Sequence, residues 1–479
     1  MSNIKMYASS IIAGEEIKNR QTLSVKFPYT GEEIGVIYCA TNDDVEKAIN
    51  NAHEVFESTM KSMPAYERSN ILRKAADILE DRSEDFVKVL AWEAGKPLRD
   101  GRGELKRAVQ VLRFASEGAK QIYGEQIPLD SAIGGEKQLG FSKRVPLGVV
   151  AAITPFNFPV NLALHKIAPA IAAGNTIVLK PAEKTPFTIG LLYKVFEEAG
   201  LPSGALNIVM GLGSEIGERL VTHPKVKKVT FTGSGPVGWH INQLAAKKKV
   251  TLELGSNAPN IIFADANLDA AAAAIVRGGF TFAGQACVSV QRVYVERSAY
   301  ESLIERLVPS VDKLVVGNPL DEETMIGPMI TEEAAIRIEN WIQEAVEQGA
   351  TVLTGGKRRG AVVEPTILVN VKPVMKVVCS EVFAPVITVI PFDDEGEVIK
   401  QANDSELGLQ AGVFTNNINT ALRVADALET GGVWINDVST LRYDNIPYGG
   451  VKMSGIGKEG IKYAIEDMTE LKFYGINLL

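Results

Sequence analysis

The stretch LGVVAAITPFNFPVNLALHKIAPAIAAGNTIVLKP, residues 147–181, has the pattern of two buried strands joined by a helix. LGVVAAITP and NTIVLKP are short apolar runs typical of covered strands, and 162–173 has helical spacing between them. The alternation continues through helices over 188–199 and 214–221 and through the strands ALNIVMG and VKKVTFTG. Because parallel strands are joined by crossover helices, this pattern predicts a doubly wound α/β domain.

A second α/β pattern covers about 255–450, with strand-like runs NIIF, RVYV, APVITVI, AGVF and GVWIND. The helices between them are predicted over 270–279, 299–307, 331–347, 395–402 and 420–428. The sequence therefore predicts two doubly wound domains, one formed by residues 1–124 with 147–254 and the other by 255–455.

The first 124 residues begin with strands and turns and continue as helices. Tyr29-Thr30-Gly31 is predicted to be the turn of a hairpin, and Asn42 or Asp43 to cap the first helix. An amphipathic helix is predicted over 66–90. Residues 125–146 are Gly-rich and hairpin-like, which indicates either a flexible loop or an arm that pairs with a neighbouring subunit.

Composition excludes several classes of function. A net charge of −8 over 479 residues argues against nucleic acid and anionic membranes as partners, since both bind basic surfaces. Three cysteines and four histidines are too few and too scattered for a disulfide framework or a metal cluster, so we expect no metal. MSNIKMYASSII does not have the pattern of a signal peptide and no apolar run reaches membrane-spanning length, so we expect a cytoplasmic location.

Cys287 lies in FTFAGQACVSVQR, residues 280–292, between a helix and the run VSVQRVYV, which alternates like a half-buried strand. Gly284 leaves room for a tight turn before it. A thiol in this position can face a cleft as a reactive group. Alone, however, a cysteine is more often a small buried hydrophobe.

Two further motifs follow predicted strands. TPFNFP places Asn157 where a side-chain amide can donate to a developing oxyanion. KPAEKTP places Lys180 and Glu183 where open α/β sheets bind ligands, although a turn with solvated charges has the same appearance.

GSGPVG at 233–238 fits the pattern G-x-G-x-x-G between a strand and a helix, a site for pyrophosphate. Pro236 removes one amide from that loop, and GLGSEIG at 211–217 competes for the same role. Glu253 in LELG lies where the acid of such a site is expected. Since its neighbours are apolar, desolvation would also raise its pKa toward that of a general base, although buried, hydrogen-bonded carboxylates are equally common.

Taken together, TPFNFP, KPAEKTP, FTGSGPVG, LELG, FAGQACVSVQR, SEVFAP and IPYGGVKMSGIGKEG resemble the aldehyde dehydrogenase superfamily, in the same order, from about residue 10 to the end. PFNFPVNLALHKIAPAIAAGN and LRYDNIPYGGVKMSGIGKEGIKYAIEDM are most similar to the branch that holds lactaldehyde and non-phosphorylating glyceraldehyde-3-phosphate dehydrogenases. The resemblance implies an aldehyde dehydrogenase-like fold: two doubly wound α/β domains and a β-arm for oligomerisation. The arm and C-terminal strand would be 125–146 and 456–479.

The resemblance also implies roles for single residues. Cys287 is expected to attack the aldehyde as a thiolate, giving a thiohemiacetal and then a thioester. Asn157 and the backbone N–H of Cys287 would hold the oxyanion, and Glu253 would activate the hydrolytic water. The residues expected at NAD are Ile153, Thr154, Pro155, Phe156, Lys180, Glu183, Gly213, Gly217, Phe231, Gly233, Ser234, Val237, Leu254, Glu381 and Phe383.

Some positions depart from the family pattern. Ser256 follows Gly255 where a second glycine is usual, and Asn257 stands where a lysine often follows, which adds bulk beside the loop of the base. Cys379 and Ala384 replace the more frequent Glu and Gly around Glu381.

Substrate choice rests on a few side chains. Ala286 stands before the nucleophile where the phosphotriose enzymes carry an arginine, so we expect a small hydroxyaldehyde such as lactaldehyde rather than glyceraldehyde 3-phosphate. Arg442, Lys120 and His165 are candidate anchors, which keeps a semialdehyde or a sulfonated aldehyde open. Arg442 has a plainer alternative, a loop salt bridge with Asp444 or Asp437.

Glu183 favours NAD over NADP, because a carboxylate accepts from a 2′-hydroxyl and repels a 2′-phosphate. Lys180 and Lys184 soften this preference, so NADP remains possible. A homo-oligomer, dimer or tetramer, is expected from the arm. The alternatives to hydrolysis are a CoA-acylating dehydrogenase, against which Glu253 argues, and a catalytically silent protein with the same fold.

Overall fold

The computed structural model describes residues 5–478. Its strands are β1 (Met6–Ala8), β2 (Ser10–Ile12), β3 (Glu15–Ile17), β4 (Thr22–Lys26), β5 (Glu33–Tyr38), β6 (Gln126–Ile127), β7 (Gln138–Pro146), β8 (Val149–Ile153), β9 (Thr176–Lys180), β10 (Leu206–Ile208), β11 (Val226–Thr232), β12 (Lys249–Glu253), β13 (Pro259–Ile262), β14 (Arg292–Glu296), β15 (Thr351–Thr354), β16 (Arg358–Arg359), β17 (Val362–Val363), β18 (Thr366–Val369), β19 (Val386–Phe392), β20 (Leu407–Gly408), β21 (Gln410–Phe414), β22 (Gly432–Ile435), β23 (Val451–Lys452), β24 (Gly455–Ile456) and β25 (Thr469–Asn477). Its α-helices are α1 (Asn42–Ser58), α2 (Ala65–Asp81), α3 (Ser83–Ala94), α4 (Leu98–Gly118), α5 (Pro159–Ala173), α6 (Phe187–Glu198), α7 (Gly213–Thr222), α8 (Gly235–Leu244), α9 (Leu268–Phe280), α10 (Tyr300–Asp312), α11 (Glu332–Glu347), α12 (Lys376–Cys379), α13 (Glu395–Asn403), α14 (Ile418–Ala427) and α15 (Ile461–Asp467).

The first sheet is the predicted doubly wound sheet, with strand order β24-β12-β11-β8-β9-β10-β2-β3. Strands β12, β11, β8, β9 and β10 are parallel. Antiparallel β24 forms one edge of the sheet, and the antiparallel pair β2 and β3 extends it to the other edge, which is β3. Successive residues of β8 face opposite sides of the sheet: Val150 and Ala152 join one hydrophobic cluster, Val149 and Ala151 the other. Helices α2 to α6 pack on the first side and α1 and α7 on the second, which confirms the mixed α/β architecture.

The second sheet has the order β15-β18-β19-β14-β13-β21-β22, all parallel except β15. The prediction for VSVQRVYV was wrong in detail, because only Arg292–Glu296 forms a strand. That strand lies between β13 and β19 and is buried on both faces, so it does not need an alternating pattern.

The arm forms a separate three-stranded sheet, β25-β7-β6. Strand β7 pairs with β25 along its whole length, from Gln138 opposite Asn477 to Pro146 opposite Thr469. The C-terminal strand is therefore covered on one edge by the arm of its own chain. Apolar side chains remain exposed on this sheet, among them Phe141, Leu471 and Phe473, and an oligomer that covers them stays a prediction.

Two helix boundaries differ from the prediction. Thr41, not Asn42 or Asp43, caps α1: its hydroxyl accepts from Asp44 N at 3.2 Å, and the Asp44 carboxylate accepts from Thr41 N at 2.9 Å. This reciprocal capping box satisfies two backbone donors at once. The helix predicted over 66–90 is two helices, α2 and α3, which meet at Arg82. Among residues 5–478, no helix has both the length and the apolar character needed to cross a membrane.

Candidate active site

A cavity of about 670 Å³ lies between the two sheets, where β8 and β12 end at Ile153 and Glu253 and the loop before β14 approaches them. The cavity is lined by Cys287, Asn157 and Glu253 together with residues from both expected binding regions. The loop that carries Cys287 includes Phe282 and Ala283 at positive φ, followed by Gly284 at φ 67°. A Cβ at Gly284 would collide with the carbonyl of Ala384, so this tight approach needs glycine.

The Cys287 thiol is half-buried in the cavity wall. Its Sγ lies 3.1 Å from the hydroxyl oxygen of Tyr448. Burial raises the pKa of the thiol to about 11, although the Tyr448 hydroxyl and the charge of Arg442 both act to lower it. The resting thiol is therefore neutral at pH 7, and a base must remove its proton before it can attack.

Asn157 is held by three hydrogen bonds. Its Nδ2 donates to the carbonyl of Gln285 at 2.9 Å, and its Oδ1 accepts from Phe158 N at 3.1 Å. Its own carbonyl accepts from Lys96 Nζ at 2.6 Å. The amide thus bridges the first sheet and the Cys287 loop, and its second Nδ2 hydrogen is left for a ligand.

A buried ion pair supports this arrangement. Lys96 Nζ pairs with Glu104 and lies 4.1 Å and 4.5 Å from the ring centroids of Phe158 and Phe282. Glu104 Oε1 also accepts from Val160 N at 2.9 Å, in the first turn of α5. Lys96 and Glu104 were missed by sequence reasoning, because nothing in their local pattern distinguishes them from solvated helix charges.

Glu253 ends β12 and is 3% exposed. Neither carboxylate oxygen has a hydrogen-bond partner within the described residues. Burial raises the pKa of Glu253 well above its usual value, and the negative charge of Glu459 raises it further. A carboxyl group without partners, poised to take up a proton, has the properties of a general base.

The loop after Glu253 contacts Glu381. Ser256 N donates to Glu381 Oε1 at 3.0 Å, and a Cβ at Gly255 would collide with the same carboxylate. Burial raises the pKa of Glu381 to about 7. Asn257 accepts from Arg292 through its backbone carbonyl at 2.8 Å. The loop that carries the unusual Ser256 and Asn257 is therefore held by hydrogen bonds to Glu381 and Arg292.

Arg442 lies in the cavity wall and forms a buried salt bridge, although its nearest carboxylate is neither of the two that were predicted. Its guanidinium lines the cavity and is buried, and Nη2 donates to Glu459 Oε2 at 3.1 Å. Asp444 is more distant, at 3.9 Å from Nε, and Asp437 pairs with Arg277 instead. Lys166 completes this cluster, with Nζ 2.9 Å from Glu459 Oε1.

The other two substrate candidates, His165 and Lys120, do not line the cavity. His165 is buried, with Nε2 2.8 Å from Asp444 Oδ1, and burial lowers its pKa. Lys120 is exposed after the end of α4 and is not a lining residue of the cavity. Arg107, on α4, does line it and pairs with Asp444 at 2.5 Å. Nothing in the sequence pattern around Arg107 distinguishes it from a solvated helix charge.

The residues expected at NAD follow the carboxyl edge of the first sheet. Ile153 pairs with Lys180 of β9 and Phe231 of β11, which places three of them side by side. Those that line the cavity are Pro155, Phe156, Gly233, Ser234, Leu254, Glu381 and Phe383. Those beyond it along the same edge or on the following helices are Ile153, Thr154, Lys180, Glu183, Gly213, Gly217, Phe231 and Val237.

The donor groups of this edge fit a dinucleotide. The hydroxyls of Thr154 and Thr232 are buried without hydrogen-bond partners in the described structure, at the ends of β8 and β11. Ser234 caps α8 without bonding to it, so its hydroxyl is free at a helix N-terminus, where anions bind. Pro236 occupies the first turn of α8, where the missing N–H has no helical partner, which explains why it is tolerated.

Comparison with known proteins gives one family. The model of the aldehyde dehydrogenase family matches residues 16–474. A 3-sulfolactaldehyde dehydrogenase of Priestia megaterium is 48% identical over 478 residues, covering 100% of this chain and 99% of the relative. A lactaldehyde dehydrogenase of Methanocaldococcus jannaschii is 42% identical over 459 residues, covering 95% and 97%.

Solved structures agree closely with this fold. Aldehyde dehydrogenase 21 from Physcomitrella patens, in complex with the reaction product succinate, has a TM-score of 0.97 at 39% identity, covering 100% of this chain and 99% of its own. The glyceraldehyde-3-phosphate dehydrogenase GapN from Methanocaldococcus jannaschii, complexed with NADP, has a TM-score of 0.92 at 42% identity, covering 96% and 100%.

Proposed function

Because this chain belongs to the aldehyde dehydrogenase family, whose members use NAD or NADP, we propose that it oxidises a small anionic 2-hydroxyaldehyde to the acid with NAD. The substrate would have the lactaldehyde skeleton with a negative group at its far end, and 3-sulfolactaldehyde is the leading candidate. The observation that supports this proposal most directly is that Arg442 and Arg107 line the cavity that holds Cys287.

The charge around these arginines supports an anionic substrate. The charged side chains of the cluster are three cations and two anions: Arg107, Lys166, Arg442, Asp444 and Glu459. His165 adds no charge at pH 7, since burial lowers its pKa, and the raised pKa of Glu253 favours its neutral form. The cluster therefore carries an excess of one positive charge, which a sulfonate or carboxylate would balance.

The chain's own groups account for the chemistry. The Cys287 thiolate attacks the aldehyde carbon, while Asn157 Nδ2 and the backbone N–H of Cys287 donate to the oxygen that becomes negative. The bound nicotinamide supplies the acceptor for the hydride. Glu253 then takes a proton from the water that hydrolyses the thioester, which releases the acid and restores the thiol.

Removal of either arginine is expected to weaken binding of the anionic substrate selectively. In Arg107→Ala and Arg442→Ala, KM for 3-sulfolactaldehyde should rise about 10- to 100-fold, because each variant loses a charge-assisted hydrogen bond to the substrate anion. KM for propanal should change less than about twofold, because propanal has no charged group that either arginine could bind. Steady-state kinetics with both aldehydes measures this.

Arg113→Ala is the matched control, because Arg113 is on the same helix as Arg107 but pairs with exposed Glu80 away from the cavity. An equal rise in KM for both aldehydes in Arg442→Ala would remove Arg442 as an anchor. A panel that includes lactaldehyde, succinic semialdehyde and glyceraldehyde 3-phosphate with NAD and NADP tests the substrate class directly. A lower kcat/KM for 3-sulfolactaldehyde than for uncharged lactaldehyde would contradict the proposal.

Glu183 is expected to set a preference for NAD. Its Oε2 lies 3.9 Å from Lys180 Nζ, beside the end of β9, and its side chain is 35% exposed. The wild-type enzyme should have the higher kcat/KM with NAD, and Glu183→Gln should reduce the NAD-to-NADP ratio about tenfold by removing repulsion of the 2′-phosphate. Glu197→Gln, which affects a similar exposed pair with Lys194, should leave the ratio unchanged. A wild-type ratio that favours NADP would overturn the argument.

A further inference from the structure

Tyr448 was not identified from the sequence, yet its hydroxyl oxygen is 3.1 Å from Cys287 Sγ. The side chain is 3% exposed and packs with Val288 and Leu409. Its backbone is held on both sides, since Tyr448 N donates to the Glu459 carbonyl at 3.1 Å and Glu459 N donates back at 2.6 Å. The hydroxyl is therefore held at the sulfur by an ordered backbone and a buried ring.

A cation lies against the ring of Tyr448. The guanidinium carbon of Arg442 is 3.6 Å from the ring centroid. Glu459 fixes that guanidinium through a hydrogen bond of 3.1 Å. A cation over an aromatic face withdraws electron density, which strengthens the phenol as a hydrogen-bond donor, and the effect is larger where water is excluded.

We propose that Tyr448 is a catalytic residue, whose hydroxyl donates a hydrogen bond to the sulfur of Cys287 and stabilises the thiolate, with Arg442 polarising the phenol. The proposal rests on the proposed role of Cys287 as the nucleophile. A thiolate has no proton, so the phenol must be the donor once the thiol is ionised. The phenol keeps its own proton throughout, and the proton of the thiol passes to solvent water, or to hydroxide at higher pH.

The electrostatics agree with this direction of donation. Burial and the neighbouring Cys287 raise the pKa of Tyr448 well above its usual value, so the hydroxyl remains a donor across the working pH range. For Cys287, burial opposes ionisation while the Tyr448 hydroxyl favours it. In this cavity the phenol compensates in part for the water that burial has removed from the sulfur.

The test is the pH dependence of Cys287 alkylation by iodoacetamide in enzyme without substrate, followed by the mass of the Cys287 peptide. In Tyr448→Phe the midpoint should rise by about one pH unit, so that alkylation below both midpoints is about tenfold slower. This measurement of the alkylation midpoint does not depend on catalytic turnover. Exposed Cys379 is an internal reference whose midpoint should be the same in both proteins.

Tyr443→Phe is the matched control, because Tyr443 lies in the same loop, is exposed, and packs edge-on against Trp434. It should retain the wild-type midpoint. Fluorotyrosine placed at 448 is a second variant that preserves the packing: its more acidic phenol donates more strongly, so the midpoint should fall.

An unchanged Cys287 midpoint in Tyr448→Phe, or no fall with fluorotyrosine, would overturn the inference. A different result would count against the proposed function instead. If wild-type enzyme fully alkylated at Cys287 still oxidised aldehyde, the nucleophile assignment would fail, whatever the midpoints. The two ideas are therefore separable by the same labelled samples.

Discussion

Replacing Cys287 by serine is expected to lower kcat for aldehyde oxidation on the order of 10⁴-fold, with the fold and NAD binding retained. The hydroxyl of serine is far less acidic than a thiol, and burial in this cavity already raises the pKa of the thiol to about 11. An alkoxide would be still harder to form beside Glu253 and Glu381. Steady-state turnover, the burst of NADH and the thermal midpoint of unfolding measure the effect.

Cys379→Ser and Cys39→Ser are the matched controls for this substitution. Cys379 is exposed and Cys39 is buried, and neither lines the cavity. Both variants should keep wild-type kcat. Undiminished oxidation by Cys287→Ser would end the covalent mechanism, because no other thiol lines the cavity within the described residues.

The substitution Glu253→Gln is expected to separate the two halves of the reaction. Gln has nearly the same volume, and Glu253 makes no hydrogen bond within the described chain that the change would break. The first turnover should still release about one NADH per site as the thioester forms, because the thiol proton passes to solvent and Glu253 acts only in the hydrolysis. Steady-state turnover should fall about 10²- to 10⁴-fold, the usual contribution of a general base.

The role of Glu253 also predicts the direction in which kcat changes with pH. Since burial raises the pKa of Glu253, its basic form appears only above the usual carboxyl range, so wild-type kcat should rise with pH through that raised value. In Glu253→Gln this acid limb should disappear, and the residual rate should grow with hydroxide concentration. A variant with the wild-type limb and rate would exclude Glu253 as the base.

The same variant tests the CoA-acylating alternative. If CoA resolves the thioester, turnover with CoA should be insensitive to the loss of Glu253, and the product should be an acyl-CoA rather than the free acid. Hydrolysis predicts the free acid with or without CoA, and sensitivity to the substitution in both cases.

Local pattern determined much of the fold. The strand–helix–strand alternation of residues 147–233 correctly predicted the parallel sheet, because covered strands and amphipathic helices differ in hydrophobic period over a few residues. Boundaries were less predictable: the cap at Thr41 depends on a reciprocal pair of side-chain hydrogen bonds and the break at Arg82 on local backbone hydrogen bonds, and periodicity reports neither.

Some residues of the site could also be predicted from the sequence, again because short motifs mark where strands end. In parallel sheets ligands meet the carboxyl ends of strands, so motifs directly after strands were expected to converge. The structure brings Asn157, Glu253 and Glu381 to one cavity with Cys287. Lys120, a candidate substrate anchor from the sequence, shows the limit of this approach, because its side chain is exposed and does not line the cavity.

The sequence by itself determined the α/β class, the family resemblance and the motifs that carry the proposed chemistry, because these are encoded in short contiguous runs. Only the tertiary structure decided which side chains surround the sulfur. Tyr448 is 161 residues from Cys287, and Arg107 is 337 residues from Asp444. Contacts over such separations depend on how two sheets pack, and no local period or spacing records that packing.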